Sequence, residues 1–237
     1  MKQLDITKHK TILTNILIDI YKNDILGSSL GFKGGTASML FYNLPRFSTD
    51  LDFDLLKNEH EKEKIVETMT LLLSKKYDVK EQSKKHNTLF WLVSYGDGLA
   101  NIKIEISTRE KPYDGYDIKT LYGIKLNVSK IGDMIANKMV AATERAITAN
   151  RDLLDIHFFL NTVYVNDINY DIVKHRTGKR PKDFYTFLYG FVSNIDNKYI
   201  LNGLGEVLSD GQKDWVKAKL KIELLGLIER QIDIVVV

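Results

Sequence analysis

Phe32-Lys33-Gly34-Gly35-Thr36-Ala37, followed closely by Arg46-Phe47-Ser48-Thr49-Asp50-Leu51-Asp52-Phe53, is the stretch on which the reading of this chain turns. The apolar run Leu30-Gly31-Phe32 suits a short strand, and the paired glycines suit a tight turn. Thr36 to Tyr42 then reads as a helix that ends before Leu44-Pro45. Asp50 to Leu55 alternates polar and apolar residues strictly, the period of a strand with one buried and one open face. On this reading the open face carries three carboxylates: Asp50, Asp52 and Asp54. A Gly-Gly turn that opens a helix bares backbone N–H groups at the positive end of the helix dipole, where a phosphate fits with no Cβ in its way. Asp50 and Asp52 on one face repel each other, and a divalent cation resolves that conflict. Mg²⁺ takes one or two carboxylates and completes its shell with waters and phosphate oxygens, so turn and carboxylate pair together read as a metal–nucleotide site.

Working outward, Ile12, Leu13, Ile16, Leu17 and Ile20 recur at helical spacing between Thr7 and Tyr21, with Asp5 or Thr7 as cap. Glu59 to Tyr77 reads as a surface helix through Ile65, Met69, Leu72 and Leu73. Thr88 to Tyr95 and Ala100 to Ser107 read as a hairpin joined by Gly96-Asp97-Gly98. In Ile102-Lys103-Ile104-Glu105-Ile106 the isoleucines take one face and Glu105 the other, beside Lys103. Glu105 completes a carboxylate triad if this strand neighbours that of Asp50. Leu121 to Leu126 predicts one further strand. From Ser129 the periodicity turns helical, over Ile131 to Ile147, Arg151 to Val163, Pro181 to Val192 and Asp214 to Ile228. The boundary is therefore set near residue 126, with an α/β domain over 1–126 and a helical domain over 127–237.

The 237 residues carry 34 Lys and Arg against 31 Asp and Glu, a formal charge of +3, with 44% hydrophobic residues and no cysteine. This is enough apolar residue for a core, and the lack of cysteine excludes disulfides, thiolate zinc sites, iron–sulfur clusters and thiol nucleophiles. Met1-Lys2-Gln3-Leu4-Asp5 leads into an amphipathic stretch rather than a secretory signal, and no apolar run suits a membrane span, so a cytoplasmic protein is expected. His9, His60, His86, His157 and His175 have no metal-ligand spacing, and no zinc site is expected. The densest basic stretch runs from Lys174 to Lys182. Its Lys174, Arg176, Lys179, Arg180 and Lys182 read either as contacts to an RNA backbone or as a solvated loop. Tyr185, Phe187, Tyr189 and Phe191 alternate too closely for one helix face, which sends some of them into the core.

An apolar residue before Gly-Gly, a short helix, an Asp-x-Asp strand and a later Glu between apolar residues resemble the nucleotidyltransferase superfamily that includes DNA polymerase beta and aminoglycoside nucleotidyltransferases. A second match lies in Asp133-Met134-Ile135-Ala136-Asn137-Lys138-Met139-Val140-Ala141-Ala142-Thr143-Glu144-Arg145, followed by Asn150-Arg151-Asp152-Leu153-Leu154-Asp155-Ile156. It resembles the Lys…Arg…Arg-Asp-x-x-Asp segment of AbiEii/AbiGii-type toxins, and Arg46-Phe47-Ser48-Thr49-Asp50-Leu51-Asp52-Phe53 resembles their Arg-x-Ser-x-Asp-x-Asp-Phe motif. The resemblance covers residues from about 32 to 160 and none of its motifs falls in 163–237. By spacing alone, Lys138 and Arg145 share one helix face and Asp152 and Asp155 another, a pattern equally at home in interhelix salt bridges.

The resemblance implies an α+β fold: a nucleotidyltransferase-like mixed sheet flanked by helices, then a helical bundle contributing Lys138 and the Arg151–Asp155 motif to the site. It implies Mg²⁺ (or Mn²⁺) on Asp50, Asp52 and Glu105, an NTP substrate held by Gly34, Gly35, Thr36, Arg46, Ser48, Lys138 and Arg145, and a catalytic or nucleotide-contacting role for Asp152 or Asp155. Asp155 reads equally as an orienter of Arg145. The implied reaction moves NMP from NTP to an acceptor hydroxyl, with the 3′ end of tRNA or another RNA as acceptor. The chain would then be the toxin of a toxin–antitoxin or phage-defence pair, with a cognate antitoxin as partner and no membrane role. Two alternatives stay open: γ-phosphoryl transfer to a protein such as the antitoxin, and a non-catalytic binding module with a degenerate site.

Overall fold

In the computed structural model, which describes residues 4–56, 61–145, 150–205 and 207–235, the chain divides between Ser129 and Lys130 into two units. The expectations placed on Met1-Lys2-Gln3, Glu59, His60, Ala146 and Ile147 lie outside the described residues. The first unit is built on β1 (Leu30–Lys33), β2 (Leu51–Leu55), β3 (Asp78–Lys85), β4 (Thr88–Ser94), β5 (Ile102–Ser107), β6 (Tyr116–Leu121) and β7 (Ile124–Ser129). These form one sheet in the order β3-β4-β5-β2-β1-β7-β6. The β2–β5 and β1–β7 pairs are parallel and the other four antiparallel.

Alternation puts Phe32, Leu51, Phe53, Trp91, Ile104 and Val128 on a fully buried face. Two helices cover that face: α1 (Ile6–Lys22) sets Tyr21 against Phe53, ring centroids 6.4 Å apart, and α4 (Lys62–Ser74) receives the Trp91 indole N–H on Thr70 Oγ1 at 2.9 Å. Asp5 is the cap of α1, its carboxylate accepting from the Lys8 N–H. Leu13, Ile16, Leu17 and Ile20 of that helix are wholly buried, and burial of each contributes about 1.5–3 kcal/mol. The Tyr21 hydroxyl then donates to the carbonyls of Leu30 and Asn127, locking α1 across β1 and β7. The opposite face of the sheet carries Lys33, Asp52 and Glu105. Between β1 and β2, α3 (Gly34–Phe41) starts directly at the glycine pair.

Three elements depart from the pattern reading. A short helix, α2 (Asp24–Ser29), capped by the Asn23 side chain, precedes β1. Asp117-Ile118-Lys119-Thr120 belongs to a strand, so the one strand expected over Leu121 to Leu126 is the turn and second arm of a hairpin, with Tyr122 (φ 48°) and Gly123 (φ 80°) at its tip. β3 is an added edge strand whose Lys- and Glu-rich faces are both largely exposed. Such an edge resists pairing with other chains but carries no alternation to read.

The second unit contains α5 (Ile131–Glu144), α6 (Asn150–Leu160), α7 (Tyr170–Thr177), α8 (Pro181–Ser193), α9 (Asp210–Trp215) and α10 (Lys221–Ile234), with one π-helical turn, Val216–Leu220, joining the last two. Ile135, Met139, Ile156, Phe159, Phe184, Leu188, Val216 and Ile228 make its core, all fully buried. Gly178, at φ 70°, closes α7, and Pro181 opens α8 at a position that needs no N–H. Among the described residues no helix is long and apolar enough to cross a membrane.

Candidate active site

The first turn of α3 is where the sheet unit gathers its reactive groups. Gly34 sits at φ +79°, and a Cβ there would lie 2.4 Å from Asp52 Oδ2; a Cβ on Gly35 would lie 2.8 Å from Ser48 Oγ and 2.9 Å from Arg46 Nη2. The glycines therefore bring backbone up against a carboxylate on one side and a hydroxyl and guanidinium on the other, which no larger residue permits. Lys33, the N-cap of α3, makes no side-chain hydrogen bond to the helix start.

Pairing of the strands completes this row. Asp52 stands opposite Lys33 in the antiparallel pair and beside Glu105 in the parallel one, and Glu105 in turn stands opposite Phe90. Asp52 and Glu105 are thus lateral neighbours on one face, both half-buried. Among the described residues no group of three or more His, Asp or Glu side chains is arranged to hold a metal ion. A pair of adjacent carboxylates is nonetheless what a hard cation such as Mg²⁺ uses when phosphate oxygens and waters fill its other positions, so the donor chemistry fits. Asp50, half-buried, lies one residue before β2.

Asp54 is not on an open face. It is 3% exposed and accepts from Lys33 Nζ (2.5 Å), Lys111 Nζ (2.9 Å) and the Tyr116 hydroxyl (2.8 Å). Gly31 makes room for this, because a Cβ there would meet the Tyr116 ring at 2.2 Å. Burial acts to raise the Asp54 pKa, but the two ammonium groups prevail and hold it below the usual carboxylate value. Burial likewise opposes the charge on Lys33, yet Asp54 keeps that ammonium above its ordinary pKa; Lys111 falls below it through burial and the repulsion of Lys33. Strand alternation shows which way Asp54 points and is silent on Lys111 and Tyr116, which come from a distant segment to cover it.

Of the other anticipated nucleotide-binding residues, Arg46 and Ser48 are buried beside Gly35, and Arg46 Nη1 donates to the Phe47 carbonyl at 3.0 Å. Thr36 is fully buried and its hydroxyl donates to the Asp50 carbonyl at 2.5 Å. His9, fully buried on α1, bridges the Thr49 carbonyl (2.9 Å) and the Tyr95 hydroxyl (2.8 Å). Nothing in its sequence neighbourhood marks it.

Within the helical unit, Lys138 of α5 pairs with Asp155 (2.8 Å) and Asp152 (3.3 Å) of α6, and Arg145 pairs with Asp152 (2.9 Å). Asp155, fully buried, thus meets Lys138, and the residue that meets Arg145 is Asp152. The basic stretch is not uniformly available. Arg176 is held by Asn137 Oδ1 (2.9 Å) and Glu144, Arg180 pairs with Asp183 at 3.1 Å, and Lys179 lies over the Phe187 ring at 5.1 Å. Lys174 and Lys182 are exposed. Of the α8 aromatics, Tyr185 is in the core and Phe187 is 45% exposed.

His157, on α6, sits edge-on to Trp215 with ring centroids 4.9 Å apart and lies 3.2 Å from Glu223. Burial lowers its pKa from the ordinary 6.5, against the pull of Glu223. A histidine that binds its proton more readily unfolded than folded adds stability that is complete above 6.5 and lost as pH falls from there towards the lowered folded value. Thermal melts between about pH 5 and 8 are expected to show this acid-side loss, and His157→Gln to reduce it in part, because burial lowers His9 as well.

Two solved structures share the fold. A Helicobacter pylori protein described as a "putative nucleotidyltransferase" is 23% identical, with a TM-score of 0.65 over 96% of this chain and 94% of that one. JHP933 from Helicobacter pylori is 22% identical, with a TM-score of 0.63 over 96% and 92%. A nucleotidyltransferase-like fold with an Asp-bearing strand beside a Gly-Gly helix start defines the class. The sequence also matches the family described as "Nucleotidyl transferase AbiEii toxin, Type IV TA system" over residues 16–226, and the chain belongs to that family. No curated protein matches it.

Proposed function

We propose that this chain transfers NMP from an NTP to the hydroxyl of an RNA acceptor, with the 3′ end of tRNA as the leading candidate. The observation that carries the reading is the abutment of Gly34 on Asp52 and of Gly35 on Ser48 and Arg46, with Glu105 alongside Asp52 in the ladder. The N–H groups of the α3 first turn, Ser48 and Arg46 bind the β- and γ-phosphates, and Arg46 offsets charge on the departing pyrophosphate. Asp52 would hold Mg²⁺ or Mn²⁺, with Asp50 and Glu105 as the further carboxylates that the resemblance supplies. That cation, bound with the nucleotide, neutralises phosphate charge and lowers the pKa of the acceptor hydroxyl. The acceptor oxygen bonds to the α-phosphorus, the bond from that phosphorus to the bridging oxygen breaks, and pyrophosphate leaves. Glu105 either completes the shell of that cation or accepts the hydroxyl proton.

The triphosphate role of Lys138 is carried over from the resemblance alone; within its own unit, Asp152 and Asp155 hold its ammonium through the ion pairs described above. Lys174 and Lys182, being exposed, are the better candidates for RNA contact, and Arg176 is the poorer one. An antitoxin partner is inferred from the toxin–antitoxin family, and a cytoplasmic setting from the substrates. The test is to incubate the protein with Mg²⁺, total tRNA and each NTP labelled at either the α or the γ position. Label from the α position on RNA is expected. Label from the γ position on a protein would replace this reading with phosphotransfer, and failure to bind Mg·NTP in calorimetry would leave a binding module.

A further inference from the structure

Asp50 is the one proposed cation ligand that the sheet does not hold, since the first paired residue of β2 is Leu51, opposite Ile104. Its backbone is fixed by side chains instead. The carbonyl before it, that of Thr49, accepts from His9 Nε2 at 2.9 Å, and its own carbonyl accepts from Thr36 Oγ1 at 2.5 Å. These two carbonyls bracket the Cα from which the carboxylate projects. A carbonyl can only accept, so Nε2 carries a proton, and in the neutral ring that burial favours Nδ1 accepts from the Tyr95 hydroxyl at 2.8 Å, which selects one tautomer. Phe47 and Tyr95 stand edge-on to the imidazole, with centroids 5.8 and 5.4 Å away, and fix its plane.

We propose that His9 is a positioning residue for Asp50: a rigid ring from the first helix, steered by Tyr95, fixes the backbone from which this carboxylate is presented to a divalent cation. The proposal rests on the reading of Asp50 as a cation ligand. Mg²⁺ tolerates little departure from octahedral geometry, so a ligand carried on unpaired backbone needs such a fixture. Packing alone would be served by any apolar ring. The pair of hydrogen bonds, donor on one side and acceptor on the other, serves orientation as well.

The test is a titration of the full chain with Mn²⁺ alone, followed by electron paramagnetic resonance, together with melting midpoints. The variants are His9→Leu, His9→Gln, Tyr95→Phe and, as reference, Asp50→Asn. His9→Leu is expected to weaken Mn²⁺ binding by about 10- to 100-fold, the usual effect of losing a group that orients a metal ligand. His9→Gln, which keeps a donor for Thr49 and an acceptor for Tyr95, is expected to restore most of it. Tyr95→Phe is expected to fall between them, and it decides the matter if His9→Leu does not fold. If Asp50→Asn weakens binding while His9→Leu and Tyr95→Phe change only the melting midpoint, His9 is a packing residue and the proposal is overturned. If Asp50→Asn leaves binding intact, the cation reading of Asp50 falls first, and the role of His9 with it.

Discussion

Asp52→Asn is expected to fold as the parent does and to lose transfer of the α-phosphate label by on the order of 10²- to 10³-fold, the scale on which removal of a charge-stabilising group acts. The substitution is nearly isosteric, so its contact with Gly34 is kept, while a full negative charge disappears from the centre of the Lys33–Asp52–Glu105 row. If Asp52 serves only the sheet, activity should survive, because a half-buried neutral amide is no worse a strand residue there. Label transfer by Asp52→Asn equal to that of the parent would remove the carboxylates from the reaction. Calorimetry with Mg·ATP separates the two ways of losing activity: weaker nucleotide binding points to the cation, and unchanged binding points to the chemical step.

Gly34→Ala is expected to damage both stability and activity. The backbone at φ +79° costs a non-glycine residue about 1–3 kcal/mol, and the new methyl would lie 2.4 Å from the Asp52 carboxylate, so either the helix start or Asp52 must move. A drop in melting midpoint together with loss of label transfer is the expected result. Gly98→Ala is the control: it shares the positive φ (+73°) but meets nothing within 4 Å. It should cost stability through backbone strain alone and leave transfer unchanged. Equal activity in Gly34→Ala and Gly98→Ala would mean that close approach at the α3 start has no part in the chemistry.

Much of this was legible because period and glycine placement report directly on local backbone. The Gly34-Gly35 turn, the alternation around Asp52 and the isoleucine face of β5 are local patterns, and the helix, strands and facing carboxylates follow from them. Asp54 shows where this stops. Its alternation is the same as that of Asp52, but Tyr116 and Lys111 cover it, and no local pattern announces a lid from another part of the chain. β3 was hidden because a charged edge strand has no apolar period, and β6 because Ile118, at 61% exposed, points to solvent. In the helical unit, spacing brought out Lys138, Arg145, Asp152 and Asp155 but could not choose partners: three and seven residues apart give a shared face, not a pairing. His9 left no trace, since a buried histidine is identified by what surrounds it in space.

The ladder also governs when, during synthesis, the carboxylate pair can exist. Asp52 and Glu105 can meet only after α4, β3 and β4 have been made, and β1 waits for β7 before its second neighbour exists. Long-range parallel pairing is slow, and it cannot begin until the later strand has left the ribosome. A chain still in synthesis holds the Gly-Gly turn and the first two carboxylates, but not the third. A translation product that stops before β5 therefore lacks the Asp52–Glu105 pair.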